Sequence, residues 1–112
     1  MKTLFWSRLD KLIESSEIVI DRPKGTSHPR YPDLIFPLDY GYLKGTTGGD
    51  GDGIDVWLGT MKDRRLVGLA STVDMLKKDA EIKLIIGCTE KEIDNIEKFH
   101  RSRYMSCIII RR

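Results

Sequence analysis

Cysteine is scarce in this chain of 112 residues: Cys88 and Cys107 are the only two, and neither stands in a CxxC or zinc-ligand spacing. That excludes a disulfide framework and a zinc module as the organising principle. Each adjoins an apolar run, so both are expected to be reduced thiols in the interior of a cytoplasmic protein. Long apolar runs are missing as well. Behind Met1-Lys2 only Leu4-Phe5-Trp6 precedes Arg8 and Asp10, which is not a signal peptide. No run approaches the length of a membrane span, so no membrane partner is expected. An excess of one charge is also lacking: 19 Lys and Arg against 17 Asp and Glu leave +2, too little to argue for nucleic acid. There are two histidines, His28 in a proline-containing stretch and His100 at the end of an expected helix, and neither is expected to be catalytic.

What the chain does have is a concentration of acids. Gly48-Gly49-Asp50-Gly51-Asp52-Gly53-Ile54-Asp55-Val56 puts Asp50, Asp52 and Asp55 within six residues. Glycines let the backbone turn such carboxylates toward one point. Two carboxylates about 5 Å apart repel by roughly 3 kcal/mol at an effective dielectric near 20. Convergence therefore calls for a cation, and a hard divalent ion with oxygen ligands is the usual one. The alternative is a solvated turn whose acids splay apart. A second acid pair, Asp74 and Asp79, follows an apolar run and strengthens the metal reading. An EF-hand is excluded. Counted from Asp50, position five is Ile54, position six is Asp55 where glycine is needed, and position twelve is Met61 where glutamate is needed.

The length points to one domain, residues 1–112. Thr3 is placed to cap a first helix with Phe5, Leu9, Leu12 and Ile13 on one face. Strands are expected at 17–21, 40–43, 54–58, 65–73, 80–87 and 104–110. Thr89-Glu90-Lys91-Glu92 has the form of a capping box, opening a second helix that buries Ile93, Ile96 and Phe99. All four prolines lie in residues 22–39, which reads as a long extended loop of the kind that carries function. Short strands with helices at both ends suggest a small barrel, closed to remove exposed edges. Trp6 and Trp57 read as core or interface residues. A helix face bearing Phe5 and Trp6 offers a homo-oligomer contact.

Pro37-Leu38-Asp39-Tyr40-Gly41-Tyr42-Leu43 followed by Asp50-Gly51-Asp52-Gly53-Ile54-Asp55-Val56 resembles the signature of the soluble family I inorganic pyrophosphatases. The likeness runs from about Glu17 to Lys83, and Asp74 with Asp79 matches a second element of that family. It implies a mainly β fold with flanking helices, an OB-like five-stranded barrel that hydrolyses pyrophosphate to two phosphates with Mg²⁺, Mn²⁺ being the other candidate ion. Carried over by position, Asp50, Asp55 and Asp79 resemble ligands of a first metal, with Asp55 bridging to a second. Asp74 and Asp79 resemble ligands of an ion that enters with the substrate. Asp52 matches the acceptor of the attacking water's proton. Arg30, Tyr31 and Tyr40 fall on phosphate-binding positions, with Tyr40 close to the chemistry.

The departures are specific. Asp21 stands where the family has a longer glutamate, and Pro32 where it has an acid. Phe36 replaces a tyrosine and Gly53 a proline. Glu81 replaces the phosphate-binding lysine, and Lys83, two residues on, is the candidate substitute. Read from the residues alone, Lys83 is more readily an outward, solvated strand residue than a phosphate ligand, whereas Arg30 is equally a partner of Asp33 or Asp39 and Tyr40 equally a core tyrosine. Two further function classes stand beside hydrolysis. One is a non-catalytic barrel that binds metal and a phosphorylated ligand or protein partner. The other is an OB-like nucleic-acid binder, which the anionic Asp50–Asp55 stretch argues against.

Overall fold

The structure, a computed structural model, describes residues 2–49, 51–101 and 103–112. Its elements run α1 (Lys2–Glu14), β1 (Ile18–Arg22), β2 (Asp39–Leu43), β3 (Ile54–Leu58), β4 (Leu66–Asp74), β5 (Asp79–Ile86), α2 (Glu90–Phe99) and β6 (Met105–Arg111). The strands form one six-stranded sheet in the order β1-β2-β3-β5-β4-β6. All neighbours are antiparallel except β3 and β5, which run parallel. Mainly β structure with flanking helices is thus present, with six strands in place of five. The hydrogen-bonded ladder has two ends, β1 and β6, so the closed ring expected from edge avoidance is not formed by these strands.

Side chains alternate between the two faces of the sheet, and each face has its own apolar cluster. One cluster joins Leu43, Val56, Leu58, Leu66, Leu69, Leu84 and Ile86 to Trp6 and Leu9 of α1. The other joins Trp57, Ala70 and Ile85 to Ile93, Ile96 and Phe99 of α2 and to Phe36 and Leu38 of the proline loop. In β4 the alternation would separate Leu66 from Leu69. A bulge, with Leu66 opposite Ile86 and Gly68 opposite Ile85, inserts Val67 and returns both leucines to one face.

The helices meet the expectations unequally. In α2 the Glu92 N–H donates to Thr89 Oγ1 at 3.2 Å, and the Thr89 N–H donates to Glu92 Oε1 at 2.9 Å. That cap fixes where the helix starts and is worth about 1 kcal/mol. Burying Ile93, Ile96 and Phe99 contributes roughly 1.5–3 kcal/mol each and is what holds it down. In α1 the helix already includes Thr3, which is therefore not its cap. The buried face is Trp6 and Leu9 with Ile13 packed alongside, whereas Phe5 and Leu12 are exposed. Apolar periodicity alone does not rank the two overlapping stripes.

Gly41 on β2 has no substitute. A Cβ there would run into the backbone carbonyl of Val19 on β1. The C-terminal arginines are tied down: Arg112 donates from both terminal nitrogens to Asp10 at 2.7 Å, and Arg111 pairs with Glu90 at 2.8 Å. No helix of the described residues is long and apolar enough to cross a membrane.

Candidate active site

Along the strands, the face covered by α2 changes character. At one end it carries Trp57, Ile85 and Ala70. Two and four residues away in the same parity stand Asp55 on β3, Lys83 and Glu81 on β5, and Thr72 and Asp74 on β4. This polar half lines a cavity of about 600 Å³. The proline loop contributes His28, Arg30 and Tyr31, β1 contributes Asp21 and Arg22, and the segment before β6 contributes Arg103 and Tyr104. Register brings the pieces together. Asp55 faces Lys83 across the parallel pair, Thr72 faces Glu81 and Asp74 faces Asp79 across the β4–β5 hairpin.

Lys83 is the most buried cation of this wall, 5% exposed. Its Nζ donates to Tyr40 Oη at 2.7 Å, to Glu81 Oε1 at 2.8 Å and to Asp55 Oδ2 at 2.9 Å. Burial works against its charge, but Tyr40, Asp55 and Glu81 outweigh that and raise its pKa above the ordinary lysine value. The outward, solvated reading of Lys83 is therefore overturned: it shares the inward parity of Ile85. Burial likewise pushes the Tyr40 hydroxyl above its ordinary value and keeps it protonated. Tyr40 accepts from Lys83, and its own proton is shared with the Asp55 carboxylate, which helps to hold the hydroxyl neutral. The ring packs on Phe36 and Trp57, with centroids at 5.5 and 4.6 Å.

Asp74 and Asp79 close the hairpin at the outer end of the same wall. Asp74 Oδ1 accepts the Leu76 and Lys77 N–H groups at 3.0 and 3.1 Å, an Asx turn that fixes the carboxylate and leaves its second oxygen uncommitted to these bonds. Asp79 lies 3.6 Å from the exposed Lys77, a loose surface pair of little worth. Around His28 the field is positive. Burial, then Arg22, Arg30 and Lys77, lower its pKa, and its Nδ1 accepts the N–H groups of Arg30 and Tyr31. Arg30 forms no ion pair among the described residues, since Asp39 instead accepts the Lys24 N–H at 2.9 Å. Arg103 lies over the Tyr31 ring, 5.7 Å from its centroid.

Of the site residues expected from sequence, Arg30, Tyr40, Asp55, Asp74, Asp79 and Lys83 all line this one cavity. Asp50 lies outside the described residues. Asp52 is in an exposed turn, its carbonyl accepting the Gly48 N–H, and it is not part of the cavity wall. Arg22, Lys77 and Arg103 were not anticipated. Lys77 had a signal in its position between Asp74 and Asp79, whereas Arg103 had none, because only tertiary packing carries it there.

The donor set fits a divalent ion in one place and not in another. No group of three acids, histidines or cysteines among the described residues converges to hold a metal. At Asp55 an ammonium already engages the carboxylate. At Asp74 and Asp79 two facing carboxylates suit a Mg²⁺ that completes its shell with water and substrate phosphate oxygens.

By sequence, no protein-family model and no curated protein matches the chain. Solved structures do match. An inorganic pyrophosphatase from Neisseria gonorrhoeae superposes with a TM-score of 0.61 at 19% identity, covering 80% of this chain and 77% of its own. The fold is that of the inorganic pyrophosphatases. The enzyme from Helicobacter pylori gives 0.58 at 18% identity over 82% and 79% of the two chains. That from Coxiella burnetii gives 0.55 at 14% over 82% and 81%. At these identities the likeness is one of architecture. The pyrophosphatase fold here carries its own side-chain set, with Glu81 and Lys83 in salt-bridge contact on one strand.

Proposed function

We propose that this chain binds inorganic pyrophosphate in the cavity and hydrolyses it to two phosphates with a divalent cation, Mg²⁺ or Mn²⁺. The observation that carries the reading is the mixed charge of the cavity lining: the facing carboxylates Asp74 and Asp79 share it with Arg22, Arg30, Arg103 and the Tyr40 hydroxyl. A tetraanionic ligand needs cations of both kinds. Arg30 and Tyr40 hold phosphoryl oxygens, and Lys83 keeps Tyr40 oriented by donating to it. Asp74 and Asp79 receive the divalent ion that arrives with the substrate. That ion supplies charge neutralisation and acidifies water. Asp52 is the candidate acceptor of the water's proton, which requires its turn to move toward the cavity. The exposed Leu4, Phe5 and Leu12 of α1 are the surface on which copies of the chain would associate into a homo-oligomer.

The test is phosphate release from pyrophosphate with Mg²⁺, with Mn²⁺ and with chelator. Slow turnover that vanishes with chelator is expected, because Glu81 has replaced a cationic contact. The three contacts of Lys83 favour a second reading, in which the cavity binds a phosphorylated ligand without cleaving it. Pyrophosphate binding by calorimetry with no phosphate release in any metal would select it.

A further inference from the structure

Asp55 is the carboxylate from which a bridging divalent ion would be expected to hang, yet it already holds a cation. Lys83 Nζ lies within 2.7–2.9 Å of three oxygens, from Asp55, Glu81 and Tyr40. An ammonium has three N–H donors and no acceptor, so its hydrogen-bonding capacity is used up on the protein. The three charged side chains are little exposed, 6% for Lys83, 19% for Asp55 and 12% for Glu81, so water screens the cluster weakly. A divalent ion on the same oxygens would face the ammonium's like charge at contact range. Backbone register places the three side by side: Asp55 and Lys83 are direct partners on β3 and β5, and Glu81 is two residues from Lys83 on the same face. The exchange has a second half. Glu81 supplies a carboxylate to the Lys83 ammonium, and a lysine at that position would have repelled it.

We propose that Lys83 is a tethered counter-ion that takes the place of a divalent metal between Asp55 and Glu81, so that this part of the site is complete without metal. Lys83 is then a positioning residue, acting through Tyr40 and Asp55. Among the described residues, the divalent requirement then lies at the Asp74–Asp79 end, where the ion comes with the ligand. The inference builds on the proposed function for its significance, but its test reads metal binding without substrate and is independent of any turnover.

The experiment titrates Mn²⁺ into the protein, following free Mn²⁺ by electron paramagnetic resonance, for wild type, D55N, E81Q, K83M and K83M/D55N. Wild type, D55N and E81Q are expected to give superimposable isotherms. K83M is expected to gain one Mn²⁺ per chain, with a melting temperature that rises with Mn²⁺, and to lose that ion again in K83M/D55N. A merely structural lysine would not create a metal site on removal. The proposal is overturned if D55N or E81Q weakens wild-type Mn²⁺ binding by about tenfold or more, the loss expected when a ligand or its support is removed. It is also overturned if folded K83M gains no ion. Should K83M fail to fold, the D55N and E81Q isotherms decide alone: unchanged binding supports the tethered cation, and weakened binding removes it.

Discussion

The Trp57 indole N–H donates to Nε2 of His100 at 3.1 Å, which fixes the imidazole as the neutral form carrying its proton on Nδ1, 3.1 Å from Met105 Sδ. Both residues are buried, Trp57 in the cluster that α2 covers and His100 at the C-terminal cap of α2. Trp57 in turn packs edge-on against Tyr40 and Phe99, both of which line the cavity.

That arrangement predicts acid lability. Burial, and then the charge of Lys83, depress His100 from its ordinary 6.5 to about 3. Above pH 6.5 the folded and unfolded states are both neutral at this residue. Between 6.5 and about 3 the unfolded chain takes up a proton that the folded one refuses, so stability falls as pH falls. The slope from one such group is at most about 1.4 kcal/mol per pH unit. Urea unfolding at pH 7 and pH 5 should show a smaller loss in H100Q, whose amide oxygen can still accept from Trp57. Equal losses would show that His100 does not carry the effect.

Gly41→Ala should be the costliest small substitution in the sheet. Its Cβ would meet the Val19 carbonyl, which belongs to backbone and cannot rotate away. Overpacking costs about 1–3 kcal/mol, and here the edge strand must move. The expected result is a lowered melting temperature with faster hydrogen exchange along β1, and unaltered exchange would contradict the register.

Tyr40→Phe removes an acceptor from Lys83 and a hydroxyl from the cavity lining. Stability is expected to fall by about 1 kcal/mol. Pyrophosphate affinity, read by calorimetry, should fall about tenfold, as for a lost bond to a charged group. If affinity is unchanged, the Tyr40 hydroxyl does not face the ligand.

Asp79→Asn and Asp52→Asn separate wall from turn. Asp79 lines the cavity and Asp52 does not. Under Mg²⁺, D79N is expected to slow phosphate release by about tenfold or more, the scale of one 1.4 kcal/mol interaction. D52N should slow it as well while leaving metal affinity unchanged, because Asp52 is the proposed proton acceptor. A wild-type rate in D52N would remove Asp52 from the proton-transfer step.

Much of the fold was written locally. The strand at 54–58 was placed to the residue because glycines bound it on one side and Gly59 on the other. The capping box at Thr89 and Glu92 is a short-range hydrogen-bond exchange, and four prolines forbid helix in the loop that walls the cavity. The acid pair Asp74 and Asp79 was legible because a hairpin forces its two ends together. What the sequence could not decide was facing. Leu84-Ile85-Ile86 is apolar on both sides, since both faces of β5 are covered, so no alternation said whether Lys83 pointed in or out. Tertiary pairing of β5 with β3 settled that, and placed an ammonium on Asp55 where a metal was expected. Arg22 and Arg103 likewise enter the cavity from segments far apart in the chain, which only the assembled sheet brings to one wall. A glycine-rich turn can point its acids anywhere, so the sequence determined the charge of the Asp52 turn, and only the folded chain decided its direction.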